Sequence, residues 1–319
     1  MPDNLPMPGP GGPTGVQSAA LPLRDNFRGI LWALISVVGA SAMSLAVRGV
    51  TLELDSRMVV MARAGITSLL ILVGVLIFAR MRRNMRFSKP WSHLLRGGLI
   101  GVSTNLGFYT LAHIPLATAT VLFFTAPIFA TILGMIVHGE KVGARRIAAS
   151  AAGFLGALVI LRPGFEAFHP AMLAALGSSA LFAGALSLSR GLANSDGALS
   201  TYFSSVVLTV FVTLPIALPV WELPSDTATW LAVAVVVAAS ALRGIADIEA
   251  YRHADAAVLA PIAYLRLILI GAGAWLLFAE GIDLATWIGA AIIIGSTLYI
   301  ARREAALRRA SSEPRKAKA

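Results

Sequence analysis

The sequence contains no cysteine, and this absence excludes disulfide bonds, thiolate nucleophiles and cysteine-ligated metals. Its five histidines are scattered without the spacing of metal ligands, and neither a Gly-x-Ser-x-Gly sequence nor a P-loop occurs. We therefore expect no hydrolytic or ATP-driven chemistry, no metal and no cofactor.

Charged side chains are also scarce. Asp, Glu, Lys and Arg make up 13% of the chain, whereas a soluble domain carries roughly 25%. Hydrophobic residues make up 57%, and the mean hydropathy is +0.78. A soluble core could not enclose so much apolar surface, so we expect the solvent around most of the chain to be the lipid bilayer.

Apolar stretches of about 20 residues, the length of a membrane-spanning helix, recur along the chain. We place ten of them near residues 28–48, 58–80, 94–113, 116–137, 145–162, 170–190, 199–220, 228–250, 254–278 and 284–301. Because the backbone in lipid must satisfy its own hydrogen bonds, the predicted fold class is an all-α integral membrane protein with ten transmembrane helices.

Basic residues are distributed unevenly among the loops. They follow the second, fourth, sixth and eighth spans, flank the first span as Arg24 and Arg28, and recur along the C-terminal tail, whereas the other loops hold few and include the acidic segment 222–226. Since basic loops mark the cytoplasmic side, we expect both termini there, with residues 1–26 as a disordered tail and 303–319 as a basic tail. Topology thus accounts for the formal charge of +10, and no nucleic acid partner is expected.

The chain contains a weak internal repeat. Residues 111–117 resemble 251–257, and 139–140 resemble 279–280, in the same order relative to the spans. This pattern predicts two five-helix halves, 27–163 and 168–302. Five is odd, so the second half crosses the membrane in the opposite sense, an arrangement typical of carriers with a central site.

Several stretches in these halves match a known pattern. They are the mid-span Arg63, residues 112–121, 126–127 and 139–140 in the first half, and residues 250–261, 264, 266–267 and 278–280 in the second. In these stretches the chain resembles the EamA-type transporters of the drug/metabolite transporter superfamily. The resemblance implies a bacterial inner-membrane protein with ten spans in two repeats. Its second half looks closest to members assigned to S-adenosylmethionine or riboflavin transport.

Ionisable residues inside apolar spans are costly and indicate function. Arg243 and Asp247 are four apart on the eighth span, so they share a face and can form an ion pair; self-neutralisation and substrate binding are equally good interpretations. Glu249 lies near the cytoplasmic end, where an interfacial carboxylate is the simpler interpretation. Arg266 has no acidic residue three or four positions away, so it needs a partner from another helix or from substrate.

Four further side chains complete the predicted substrate site. Tyr264 lies on nearly the opposite face from Arg266. Arg63 could form part of a gate, could stabilise the fold, or could simply extend its charged group to the membrane interface. Asn105 and Tyr109, four apart on the third span, offer an amide and a phenol to a ligand, although hydrogen bonds between helices account for them equally well.

Two prolines and two glutamates are candidates for gating. Pro127 and Pro261 interrupt helical hydrogen bonding, which carriers use for bending, although membrane helices also simply tolerate proline. Glu140 and Glu280 recur at equivalent ends of the fourth and ninth spans, as fold-defining contacts or gates. Small residues four apart, including Gly97 and Gly101, predict close helix packing.

The sequence therefore predicts a secondary transporter that moves a small polar or zwitterionic metabolite by alternating access. The excess of arginine over carboxylate in the bundle favours a substrate with a carboxylate or phosphate. A non-transporting receptor or scaffold is the alternative, and a membrane-embedded enzyme is the weakest because no nucleophile and base are clustered.

Overall fold

The structure is a computed structural model that describes residues 26–138, 144–161, 168–254, 259 and 262–312. These residues form helices and short connections, and no strand occurs among them. Pro261 and Glu140, two of the predicted gating residues, lie outside the described residues, as does nearly all of the expected tail 1–26.

Eleven α-helices follow one another in the described segments. They are α1 (Asn26–Val50), α2 (Ser56–Ile77), α3 (Ala79–Asn84), α4 (Pro90–His113), α5 (Leu116–Phe123), α6 (Ala126–His138), α7 (Ala144–Leu161), α8 (Pro170–Ala217), α9 (Thr227–His253), α10 (Leu265–Phe278) and α11 (Leu284–Ser312).

Among the described residues, six helical segments are long and apolar enough to cross a bilayer. They are Phe27–Val50, Ser56–Ile77, Leu116–Ile136, Pro170–Ala193, Ser195–Val220 and Thr227–Asp247, and shorter apolar helices cover Ile147–Leu161, Leu265–Phe278 and Leu284–Ile300. Large apolar side chains point outward, as with Leu76 at 67% exposure and Leu276 at 71%. An exterior of this kind is stable against lipid and not against water, so the predicted class, an all-helical multi-pass membrane protein, is confirmed.

Two places along the chain show how the predicted spans relate to the helices observed. The expected helix 116–137 is broken at Phe124 and Thr125 into α5 and α6, and Pro127, which cannot donate a backbone hydrogen bond, lies in the first turn of α6. The predicted spans 170–190 and 199–220 correspond to the apolar segments Pro170–Ala193 and Ser195–Val220 of α8, which meet at a kink within the expected connection. That kink is at Gly197, whose φ of 85° is a conformation that glycine adopts without a steric penalty.

Two long helix pairs hold the polar centre of the molecule. Helix α4 packs along α8, and α1 packs along α9. Glycines bring the backbones together: a Cβ atom on Gly39 of α1 would lie 3.2 Å from the carbonyl oxygen of Ala239 in α9. Since α1 and α4 lie in the first half of the chain and α8 and α9 in the second, both pairs join the two halves.

Candidate functional site

The ion pair predicted on the eighth span is present on α9. Arg243 Nε lies 3.5 Å from Asp247 Oδ2, and the hydroxyl of Ser36 on α1 donates a hydrogen bond to Asp247 Oδ1. Ser36 is 211 positions away in sequence. The carboxylate is thus shared between its own helix and α1, which approaches closely because Gly39 has no side chain.

Arg266 lies in the first turn of α10 and points toward α1. Its Nη2 donates to Ser44 Oγ at 3.0 Å, whereas its Nε has no hydrogen-bond partner among the described residues. The guanidinium interacts electrostatically with Arg243 and Asp247. Ser44 therefore supplies part of the pairing that the sequence led us to expect from another helix or from substrate. The Nε donor of Arg266 remains without a partner among the described residues.

Arg63 on α2 belongs to the same central region. Its guanidinium carbon lies 5.5 Å from the centroid of the Phe108 ring on α4, a cation–π arrangement. Arg63 interacts electrostatically with Arg243, and its Nε has no hydrogen-bond partner in the described part of the chain. Three of the predicted arginines thus converge from α2, α9 and α10, and we call Arg63, Arg243, Arg266 and Asp247 the central charge cluster.

Asn105 and Tyr109 have contacts of their own on α4 and α8. Asn105 Nδ2 donates to Thr213 Oγ1 of α8 at 2.8 Å, which is the hydrogen bond between helices that was the alternative to ligand binding. Tyr109 lies near the end of α4, where its ring centroid is 4.1 Å from that of His113. The structure therefore gives the Asn105 amide nitrogen a packing partner and Tyr109 an aromatic one, while Asn105 Oδ1 is buried without a hydrogen-bond partner among the described residues.

Tyr264 also faces another way, as its position relative to Arg266 predicts. Its hydroxyl hydrogen-bonds with that of Thr297 on α11, and its ring meets Phe124 edge-on with 5.0 Å between centroids. Phe124 is the residue at which the helix 116–137 breaks. Tyr264 thus connects α10 and α11 to the break that precedes Pro127.

Glu280, directly after α10, is held by several groups. Arg48 Nη2 of α1 lies 2.8 Å from Glu280 Oε1, and the backbone N–H of Leu116 donates to Glu280 Oε2 at 2.8 Å. Arg48 also donates to the carbonyl of Ala112, just before the turn that leads to α5. Arg48 and Glu280, which we call the Arg48–Glu280 latch, therefore tie the α4–α5 turn to the ends of α1 and α10.

Comparison with known proteins identifies the family. Residues 27–162 match the EamA-like transporter family. The S-adenosylmethionine uptake transporter of Rickettsia felis is 31% identical over 87% of this chain and 94% of its own length. This chain belongs to the EamA-like transporter family.

Other relatives broaden the chemistry seen in EamA-like transporters. The riboflavin transporter of Vibrio cholerae is 28% identical over 87% of this chain and 94% of its own. The pseudopaline exporter of Pseudomonas aeruginosa is 24% identical over 86% of this chain and 96% of its own. The family and its named members are transporters, so the predictions of EamA membership and of a small-metabolite transporter in place of an enzyme are confirmed.

The fold of this EamA-like transporter has also been seen by crystallography. A crystal structure of another protein superimposes with a TM-score of 0.62 over 88% of this chain and 99% of the other, at 17% identity. At that identity the likeness concerns the arrangement of helices alone.

Sequence reasoning missed a second polar network in this transporter, between α4 and the kink of α8. The His93 side chain, 5% exposed, hydrogen-bonds with Ser204 Oγ through Nδ1 and with Asp196 Oδ2 through Nε2. One turn along α4, Arg96 donates to Ser189 Oγ at 2.8 Å and to the carbonyl of Thr201 at 3.0 Å. These partners are about 100 positions apart in sequence, so no local spacing reveals them; the available signal was the presence of polar residues in apolar helices.

Two concavities lie outside the central charge cluster. One, of about 340 Å³, is lined by residues 51–56 with Ala112 and His113, beside the Arg48–Glu280 latch. The other, of about 390 Å³, is an apolar groove between α2 and α9, lined by residues that include Ile66 and Val237. No arginine of the cluster lines either concavity, and no group of three metal-ligating side chains occurs among the described residues.

Proposed function

We propose that this EamA-like transporter is a secondary carrier of the bacterial inner membrane that works by alternating access. It has ten spans in two inverted five-helix repeats, 27–163 and 168–302, with both termini in the cytoplasm. The uneven distribution of basic residues supports this topology, and the α-helical segments supply the spans. Pro127 and Pro261, with Glu140 and Glu280, are the positions at which this carrier bends and gates.

The observation that carries the proposal is the location of the central charge cluster between the two halves. Ser36 and Ser44 lie on α1 of the first half, and their partners Asp247 and Arg266 lie on α9 and α10 of the second. A rocking motion of one half against the other would exchange these hydrogen bonds for contacts with substrate or water. Alternating access requires a site with this property.

The charge of the cluster supports a small polar or zwitterionic substrate that carries an anionic group. Three arginines face one carboxylate, and that carboxylate already accepts from Ser36 and lies beside Arg243. Buried positive charge without a protein counterion favours an oxyanion from the ligand. Amino-acid-like, S-adenosylmethionine-like and flavin-like metabolites are the classes to test, because the relatives are named for two of them.

Counterflow in proteoliposomes tests the function. Purified protein is reconstituted and preloaded with unlabelled S-adenosylmethionine, riboflavin, amino acids or nucleosides, and uptake of the labelled compound is followed with and without a proton gradient. We expect one class to exchange well above protein-free vesicles. Saturable binding of a compound without exchange would overturn the carrier and establish the receptor alternative.

A further inference from the structure

Tyr202 is a partly buried residue of α8 that was not among the predicted site residues. Its hydroxyl oxygen is buried and has no hydrogen-bond partner among the described residues. Buried hydroxyls normally have partners, because leaving one unpaired loses the hydrogen bond that it made with water in the unfolded chain. An orphaned phenol inside a transporter therefore requires an explanation.

The position of Tyr202 is fixed by a contact with α9. Its ring lies on Gly244, where a Cβ atom would come within 2.9 Å of Tyr202 Cε2. Gly244 directly follows Arg243, so the phenol reaches the region of the central charge cluster. Arg63 and Arg243 are both near enough for their charges to act on the Tyr202 phenol.

Other unpaired groups lie on the same faces. Thr67 is one turn from Arg63 on α2, and Ser240 is one turn from Gly244 on α9. The hydroxyl oxygens of Thr67 and Ser240, like Arg63 Nε, are buried without a hydrogen-bond partner among the described residues. All of these groups can donate hydrogen bonds, and a ligand that satisfies several donors together must present acceptor oxygens.

We propose that Tyr202, with Arg63 and Arg243, forms a subsite for an oxyanion of the transported molecule, a carboxylate or a phosphate. Tyr202 donates its phenolic hydrogen to the oxyanion and so determines specificity, while Arg63, held over Phe108, supplies the charge. A cationic group does not fit here, because the carboxylate of the cluster, Asp247, is already engaged by Arg243 and Ser36. The inference rests on the proposed carrier function and names the part of the substrate that this region recognises.

The absence of cysteine makes a test without any ligand possible. In Tyr202→Cys the only thiol of the protein sits at the subsite. Its rates of reaction with a negatively charged sulfonatoethyl methanethiosulfonate and a positively charged trimethylammonium analogue are compared with the same rates for 2-mercaptoethanol. We expect the ratio of the anionic to the cationic reaction rate to be at least about tenfold higher for Tyr202→Cys than for 2-mercaptoethanol. Adding Arg63→Gln should remove most of this preference, and Arg63→Lys should retain it.

A preference for the cationic reagent, equal relative rates, or no reaction with either reagent in folded protein would overturn the subsite. Because no transport is measured, this outcome is independent of whether the protein carries the probes of the counterflow assay. A protein that shows the anionic preference but moves none of them keeps the subsite and loses the proposed function.

The role of the phenol itself is tested with Tyr202→Phe and matched probes. S-adenosylmethionine is compared with its decarboxylated form, and riboflavin 5′-phosphate with riboflavin, by equilibrium binding to purified protein. For whichever pair binds, we expect the variant to lose about tenfold in affinity for the member with the oxyanion and less than about twofold for the other. The pair that responds distinguishes a carboxylate from a phosphate, and equal losses for both members would contradict the proposal.

Discussion

At the scale of single residues, the central charge cluster shows what the sequence can and cannot predict. The lack of an acidic residue within one turn of Arg266 correctly indicated a partner on another helix. That partner, Ser44, is 222 positions away. The contacts of a serine in an apolar helix with residues so distant in sequence cannot be predicted from its neighbours. The Arg243–Asp247 pair could be predicted because both partners lie on one helix, four residues apart.

Replacing Arg266 by Gln is expected to stop transport while leaving the fold intact. Glutamine keeps a polar amide but loses the charge, and the loss of a charge-assisted hydrogen bond to substrate should slow uptake roughly tenfold or more. Initial uptake rates and the size-exclusion profile of the purified variant check this. Ser44→Ala is the matched control: it removes the same contact from the other side and should retain most of the uptake. Uptake by Arg266→Gln at the wild-type rate would remove Arg266 from the site.

Asp55 gives a prediction about pH at a residue outside the spans. Its carboxylate accepts hydrogen bonds from the side chain and the backbone N–H of Arg57, which hold the pKa of Asp55 below its usual value of 3.8. A lowered pKa in the folded state means that the stabilisation is present above pH 3.8 and is lost as the pH falls through the folded-state pKa.

Asp55→Asn should lower the melting temperature in detergent by about 1–2 °C at pH 7, a modest effect because the pair is partly exposed to solvent. The difference from wild type should shrink between pH 5 and pH 3. Fluorescence-monitored melting across this range checks the trend. A difference that stays constant or grows on acidification would contradict the assignment of the lowered pKa.

At the scale of helices, composition, proline and the spacing of small residues were informative: Gly97 and Gly101, predicted to allow close packing, both lie against α8. Apolar runs located the spans, because length and hydropathy decide whether a helix suits a bilayer. The break before Pro127 could be anticipated, since proline cannot complete the backbone ladder. The kink of α8 falls within the connection expected between residues 190 and 199, although nothing distinguished Gly197, where it occurs, from the other glycines.

Adjacent glycines on α4 provide a matched test of helix packing. A Cβ atom on Gly97 would lie 2.3 Å from Leu208 Cδ1 of α8 and 2.9 Å from its Cβ, whereas one on Gly98 would meet nothing within 4 Å. Gly97→Ala should therefore lower the melting temperature by roughly 3–8 °C through overpacking. Gly98→Ala should leave it unchanged or raise it, because alanine is the better helix former. Similar melting curves for the two variants would show that α4 and α8 are packed less closely than described.

At the scale of the whole molecule, the Arg48–Glu280 latch joins segments from both halves. Sequence symmetry pointed to Glu280, but its partner Arg48 looked like an ordinary basic residue near a loop. Each Glu280 oxygen has its own contact, one with Arg48 and the other with the backbone of Leu116. Only the folded chain brings these groups together, so the partner could not be read from sequence.

Glu280→Gln should favour opening of the carrier on the side that bears the latch. The amide keeps an acceptor for Leu116 but loses the ion pair with Arg48. Ser44→Cys, buried beside Arg266, reports the opening through its reaction with a membrane-impermeant thiol reagent added from that side. We expect faster labelling when Glu280→Gln is added to Ser44→Cys. As a control, Asp283→Asn, also after α10, should leave the labelling rate unchanged. Labelling that is slower than or equal to that of Ser44→Cys alone would show that the latch does not close this side.

The packing of α4 along α8 also has a consequence for biosynthesis. Ser103 and Asn105 hydrogen-bond with Ser178 and Thr213, and Thr213 is made 108 residues after Asn105. At about 5–20 residues per second, Asn105 waits roughly 5–20 seconds in the membrane before its partner is synthesised. During that interval, lipid, water or the insertion machinery must accommodate the polar face of α4. A ribosome that stopped before α8 would release a product in which Ser103 and Asn105 lack the hydrogen-bond partners that α8 provides.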